Sequence, residues 1–328
     1  MRGSLAVCLG LVAANLAAWG WAALAFRDHP VLLGTALLAW GLGLRHALDA
    51  DHIAAIDGAT RKLVQAGARP VGIGMFFALG HSSVVLLACA ALPATAMVFA
   101  GSLEAVGAVG GVIGSVVSIL FLLAMAVANA VILAQVWQAL AAERAGRPMS
   151  RAEMERVQQG GGILTALFRP LFRLVGRSWH MAPLGFLFGL GFDTAASVAL
   201  LGVSAAQAGS GLPLWSIMVL PVLFAAGMVL VDTLDGLLMV RACAWAFSNP
   251  ARRLRYNLAI TAVSVVAAAG VALAGIVQLL SEQTGVLNAL SAVLDGGLEY
   301  AGMAMVAVFT ALWLAGMASA RLRPARRA

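Results

Sequence analysis

The chain has 328 residues, 62% of them apolar or aromatic and only 11% charged, with a mean hydropathy of +0.95. An ordinary soluble domain is about half apolar and about a quarter charged, so these values exclude a soluble globular enzyme, a disordered chain and a nucleic-acid binder. The net charge of +7 is then a topology signal.

A transmembrane helix needs about 20 mostly apolar residues. Eight runs qualify: 5–26, 31–56, 71–93, 109–138, 181–206, 214–239, 257–280 and 299–319. The first, after Met1-Arg2 and ending near Ala22-Ala23-Leu24-Ala25, superficially fits a cleaved signal peptide. It is longer than the usual h-region of about 7–15 residues. Cys8, Cys89 and Cys243 lie in or beside apolar runs without a CxxC and read as small buried apolar residues.

The second run holds Arg45-His46-Ala47-Leu48-Asp49-Ala50-Asp51-His52-Ile53. On one continuous helix at about 100° per residue, His46, Asp49 and His52 fall within an arc of about 120°. Arg45, four residues before Asp49, can pair with it, and Asp51 points elsewhere. Two imidazoles and a carboxylate on one face make a partial site for a divalent transition metal. The alternative is a set of interhelical hydrogen bonds with one Arg–Asp pair. The third run carries His81-Ser82-Ser83. In the fourth, Gly107, Gly111 and Ser115 recur every four residues, as do Gly110 and Gly114, a spacing that lets helix backbones approach closely.

The loop 139–180 is the one sizeable polar stretch. Ser150 and Glu153 have capping-box spacing, so a short helix is expected there, ended by Gly160-Gly161-Gly162. Arg169, Arg173 and Arg177 then alternate with Leu and Phe, as in an interfacial segment or a solvated linker. The fifth run carries Asp193, and the sixth ends with Asp232-Thr233-Leu234-Asp235. Gly41-Leu42-Gly43 and Gly189-Leu190-Gly191 form a faint repeat in oppositely directed spans.

With the N-terminus inside, nineteen of the 21 Lys and Arg fall on cytoplasmic segments, Arg61, Lys62 and Arg69 among them. This favours an all-α polytopic bundle with eight transmembrane helices and both termini cytoplasmic. Residues 1–138 then form the first four crossings, 139–180 a cytoplasmic loop, and 181–328 the last four crossings with a basic tail.

The charges inside the spans set the function. Insertion costs about 2.5–3.5 kcal/mol for each Asp or Arg at a helix centre. Arg45, Asp49, Asp51, Asp193, Asp232 and Asp235 therefore face inward, satisfy one another or line a wet cavity. At about 1.5 Å per residue, His46, His81 and Asp193 lie about 15–18 Å from the cytoplasmic end, and His52, Asp232 and Asp235 about 6–12 Å. Such a set forms a track from the midplane to the inner face.

These motifs resemble those of the nickel/cobalt transporter family. Arg45 to Ile53 matches its RHAxDADHI signature, and Gly80-His81-Ser82 its GHS motif. Leu190 to Ala195 matches LGFDTA, and Gly227 to Asp235 matches GMxLxDTxD. The resemblance implies eight spans with both termini inside, and a permease that takes up Ni²⁺ or Co²⁺ across the bacterial cytoplasmic membrane. It carries over His46, Asp51, His52, His81, Asp193, Asp232 and Asp235, which the in-span pattern joins to Asp49 as metal-contacting candidates. The family usually continues LGFDTA with Thr or Ser and then Glu; here Ala196-Ser197 follows, which leaves the metal preference open.

The ion is cargo, and no permanently bound cofactor is expected. The expected partners are the metal cation and the lipid bilayer, with no nucleic acid. The absence of a Walker A motif argues against ATP-driven transport by this chain. An efflux protein of the same superfamily and a membrane-embedded metalloenzyme are the alternatives. A zinc protease would want HExxH, which is absent.

Overall fold

Among the described residues the fold is made of helices alone. The computed structural model describes residues 2–95, 100–145, 175–190, 200, 204, 212–247 and 250–322. The longer helices are α1 (Arg2–Ala25), α2 (Val31–His46), α3 (Ala50–Gln65), α4 (Ile73–Thr95), α5 (Ala100–Arg144), α6 (Met181–Gly189), α7 (Val219–Phe247), α8 (Pro250–Thr284) and α9 (Asn288–Leu322). Asp193, Ala196, Ser197 and the segment 146–174, with its expected short helix, lie outside the described residues.

Five helices among the described residues are long and apolar enough to cross a membrane. The number is six if the bent pair α2–α3 counts as one crossing. Of the eight expected runs, the fifth is described only through α6, and the eighth contributes the shorter apolar stretch Tyr300–Ala311 within α9. Apolar side chains also cover the outside of the bundle: Leu5, Leu9 and Leu16 on α1 and Val266 and Leu273 on α8 are all exposed. A water-facing surface of this kind would be an aggregation patch, whereas lipid accepts it.

The second run is not one helix. α2 stops at His46, the turn at 47–49 is closed by Leu48 N–H to Arg45 O and Asp49 N–H to His46 O, and α3 leaves at 52°. Asp49 is extended (φ −66, ψ 146) and caps α3 from outside, with Asp51 in its first turn, where carboxylates suit the helix dipole. α3 then runs on to Gln65, nine residues past the expected end of the span. Gly67, at φ +82, ends it in a Schellman turn, with Ala68 N–H to Leu63 O and Gly67 N–H to Val64 O.

The extension corrects one charge assignment. Arg61, counted above as a cytoplasmic loop cation, is 2% exposed within α3.

Glycine sets tight contacts between helices, and of the fourth run's small residues Gly114 is buried. A Cβ on Gly111 would meet open space. By contrast, a Cβ on Gly43 would overlap the Phe224 carbonyl, one on Gly74 the Asp232 carbonyl, and one on Gly302 the Leu48 carbonyl. These contacts press α7 against α2 and α4, and α9 against the break. Gly236 of α7 lies beside Ile73 and Ile56, so α3 and α4 meet α7 on the side of the loop 66–72.

Candidate metal centre

The break places three imidazoles together. His46 ends α2, His52 opens α3 and His81 projects from the middle of α4; all three are buried. One nitrogen from each lies within 4.8 Å of the others. The His46 and His52 rings are 4.6 Å apart, and His52 and His81 4.7 Å. The His46 and His52 rings are thus closer than the rise of about 9 Å that six residues span on an uninterrupted helix, because the chain bends between them.

Carboxylates hold the rings from behind. His46 Nδ1 donates to Asp49 Oδ2 at 2.9 Å, and His52 Nδ1 donates to Asp232 Oδ2 at 3.2 Å. A proton fixed on Nδ1 leaves the Nε2 lone pair facing inward, the arrangement that orients metal-binding histidines. His46 Nε2 and His81 Nε2 share a hydrogen bond at 2.9 Å. Two nitrogens about 2.1 Å from one ion at right angles to each other are about 3.0 Å apart, so this spacing suits neighbouring positions on a square or octahedral ion. His52 Nε2, His81 Nδ1 and Asp232 Oδ1 have no hydrogen-bond partner among the described residues. Phe77 and Phe224 wall the cluster, at 4.9 Å from His52 and 5.5 Å from His46.

The remaining candidates separate. Asp51 turns back on its own helix, where Oδ1 accepts the His52 backbone N–H at 2.9 Å. Asp235 is buried one turn beyond Asp232 on α7. Gly189, at the end of α6, approaches His81, a Cβ there being 2.7 Å from the His81 carbonyl oxygen. Asp193 follows four residues later, outside the described residues.

Asp57 was missed because the span was ended at residue 56. The i,i+4 spacing of Asp57 and Arg61 on a helix running past that point was the available signal.

A helical bundle with an apolar exterior is the form of a membrane protein, and its three buried imidazoles form a group able to hold a metal ion. The sequence profile of the high-affinity nickel-transport proteins (NicO) matches residues 32–319, and the chain belongs to that family. The chain is 49% identical to the high-affinity nickel transport protein of Cupriavidus necator over 317 residues, 95% of this chain and 90% of the relative. It is 42% identical to the nickel transporter NixA of Staphylococcus aureus over 293 residues, covering 89% and 86%. It is 41% identical to the cobalt transport protein NhlF of Rhodococcus rhodochrous over 302 residues, covering 90% and 85%. The expected nickel/cobalt family is therefore the family of this chain. No solved structure matches it.

Proposed function

We propose that the protein is a secondary permease that carries Ni²⁺ or Co²⁺ inward across the cytoplasmic membrane, with eight crossings and both termini cytoplasmic. On this reading His46, His52 and His81 bind the ion, with Asp49 and Asp232 orienting two of the rings. Residues 1–138 and 181–328 are two four-crossing halves joined by the cytoplasmic segment 139–180. The observation that carries the reading is the convergence of three buried imidazole nitrogens at a broken helix. Broken helices near the bilayer midplane are where transporters bind ions.

Imidazole suits nickel, and oxygen donors from Asp193 or water complete the shell. Affinity alone would favour Cu²⁺ over Ni²⁺, so selectivity rests on geometry. The membrane potential supplies about 2.3 kcal/mol per charge per 100 mV for inward movement.

The test is uptake of radioactive Ni²⁺ into proteoliposomes and into cells carrying the chain. Wild-type protein accumulates the ion, and His52→Ala, inserted at normal levels, does not. Wild-type flux in His52→Ala rules out the cluster as the ion site, and loss of Ni²⁺ from loaded cells reverses the direction.

A further inference from the structure

A second buried polar cluster lies between the histidines and the loop 66–72. Asp57 is 1% exposed, Thr60 0%, Arg61 2% and Asp235 8%. Arg61 Nε is 3.3 Å from Asp57 Oδ2, and Arg61 Nη1 donates to Thr261 Oγ1 at 3.3 Å. Ser264 Oγ donates to the same Asp57 oxygen at 2.5 Å. Other polar atoms of the cluster have no hydrogen-bond partner among the described residues: Asp57 Oδ1, Thr60 Oγ1, Arg61 Nη2 and Asp235 Oδ2.

Packing gives no reason for this set. Buried ion pairs are costly unless their remaining donors and acceptors are matched; here Asp57 meets the guanidinium, and Asp235 stands on the neighbouring helix next to Gly236, which packs against Ile56. The three unpartnered oxygens, on Asp57, Thr60 and Asp235, are hard donors of the kind a divalent cation takes after leaving imidazole.

The position also fits a path. Asp57 stands five residues past His52 along α3, about 7.5 Å of rise. Asp235 stands three residues past Asp232 along α7, about 4.5 Å. Both steps run toward the loop 66–72, because Gly236 packs against Ile56 and Ile73 there.

We propose that Asp57, Thr60 and Asp235 form a second cation station through which the ion passes after the histidine cluster, with Arg61 as the tethered counter-charge that holds the station shut until the ion displaces it. The proposal rests on the histidine reading above, and its test separates the two. It assigns Asp57, Thr60 and Arg61 to the path, whereas the sequence motifs pointed only to Asp235.

The test uses the full chain with Ni²⁺ as probe and two readouts. X-ray absorption of bound Ni²⁺ reports imidazole ligation at the first site, and proteoliposome uptake reports passage. The charge-balanced double variant Asp57→Asn/Arg61→Gln is expected to keep the imidazole signature while its uptake falls by at least an order of magnitude. Wild-type uptake in the double variant overturns the station and leaves the histidine reading intact. Loss of the imidazole signature in the double variant also overturns it, because these residues would then support the first site. No imidazole signature in wild-type protein overturns the histidine reading, and the station with it.

Arg61→Gln alone is expected to bind one more Ni²⁺ per chain than wild type; an unchanged stoichiometry overturns the gating role. Should the double variant fail to insert, Thr60→Val decides by the same readouts. Reduced uptake with intact imidazole ligation supports the station, and wild-type uptake overturns it.

Discussion

Asp232 has no solvent contact, and its one described hydrogen bond takes the Nδ1 proton of His52. Removing it leaves His52 free to rotate or to change tautomer, so its effect is on affinity. Loss of such a supporting carboxylate typically costs about 10–100-fold in metal binding. Asp232→Ala is expected to weaken Ni²⁺ binding by that order in an equilibrium titration, with the protein still inserted. Unchanged affinity would remove Asp232 from the site. The Arg27–Asp28 pair is the contrast: both side chains are about three-quarters exposed. A pair like this contributes about 0–1 kcal/mol. Arg27→Ala is expected to leave uptake and thermal stability unchanged.

The break between α2 and α3 depends on a helix distant in sequence. Gly302 of α9 lies directly on the Leu48 carbonyl, in the middle of the 47–49 turn, so any side chain there must push the two apart. Overpacking of this kind costs about 1–3 kcal/mol. Gly302→Ala is expected to lower the melting temperature in detergent and to weaken Ni²⁺ binding together, because α9 would displace the turn that sets His46 against His52. Gly111 supplies the control. It is also a helical glycine, but with open space at its Cβ. Gly111→Ala is expected to be neutral or to stabilise by up to about 1 kcal/mol from helix propensity alone. If both variants melt alike, the contact of α9 with the turn has no energetic role.

Across the whole molecule, the proposed topology puts the turn after α1 outside and the turn after α3 inside. The turn after α1 holds His29, and the turn after α3 holds Ala68; both residues are exposed. In a background lacking the natural cysteines, Ala68→Cys is expected to react with an impermeant reagent from the cytoplasmic side and His29→Cys from the outside. Labelling from the same side would refute the orientation.

The helical character and most crossings were legible because lipid demands long apolar runs, which composition displays directly. The identity of the clustered residues was legible too, since His46, His52 and His81 had no reason to stand in apolar runs. The break was not: His46, Asp49 and His52 also share a face on an uninterrupted helix, and neither glycine nor proline marks the turn. Arg61 was misplaced for a related reason. A cation at the end of an apolar run reads as a loop residue unless the helix is known to continue.

All three histidines belong to the N-terminal half, while the carboxylate that steadies His52 belongs to the C-terminal half. The close fits of Gly43 on Phe224 and Gly74 on Asp232 bind the halves along their length. Two separately expressed fragments, severed within 146–174, should therefore find each other in the bilayer and regain transport by complementation, while either one alone stays inert.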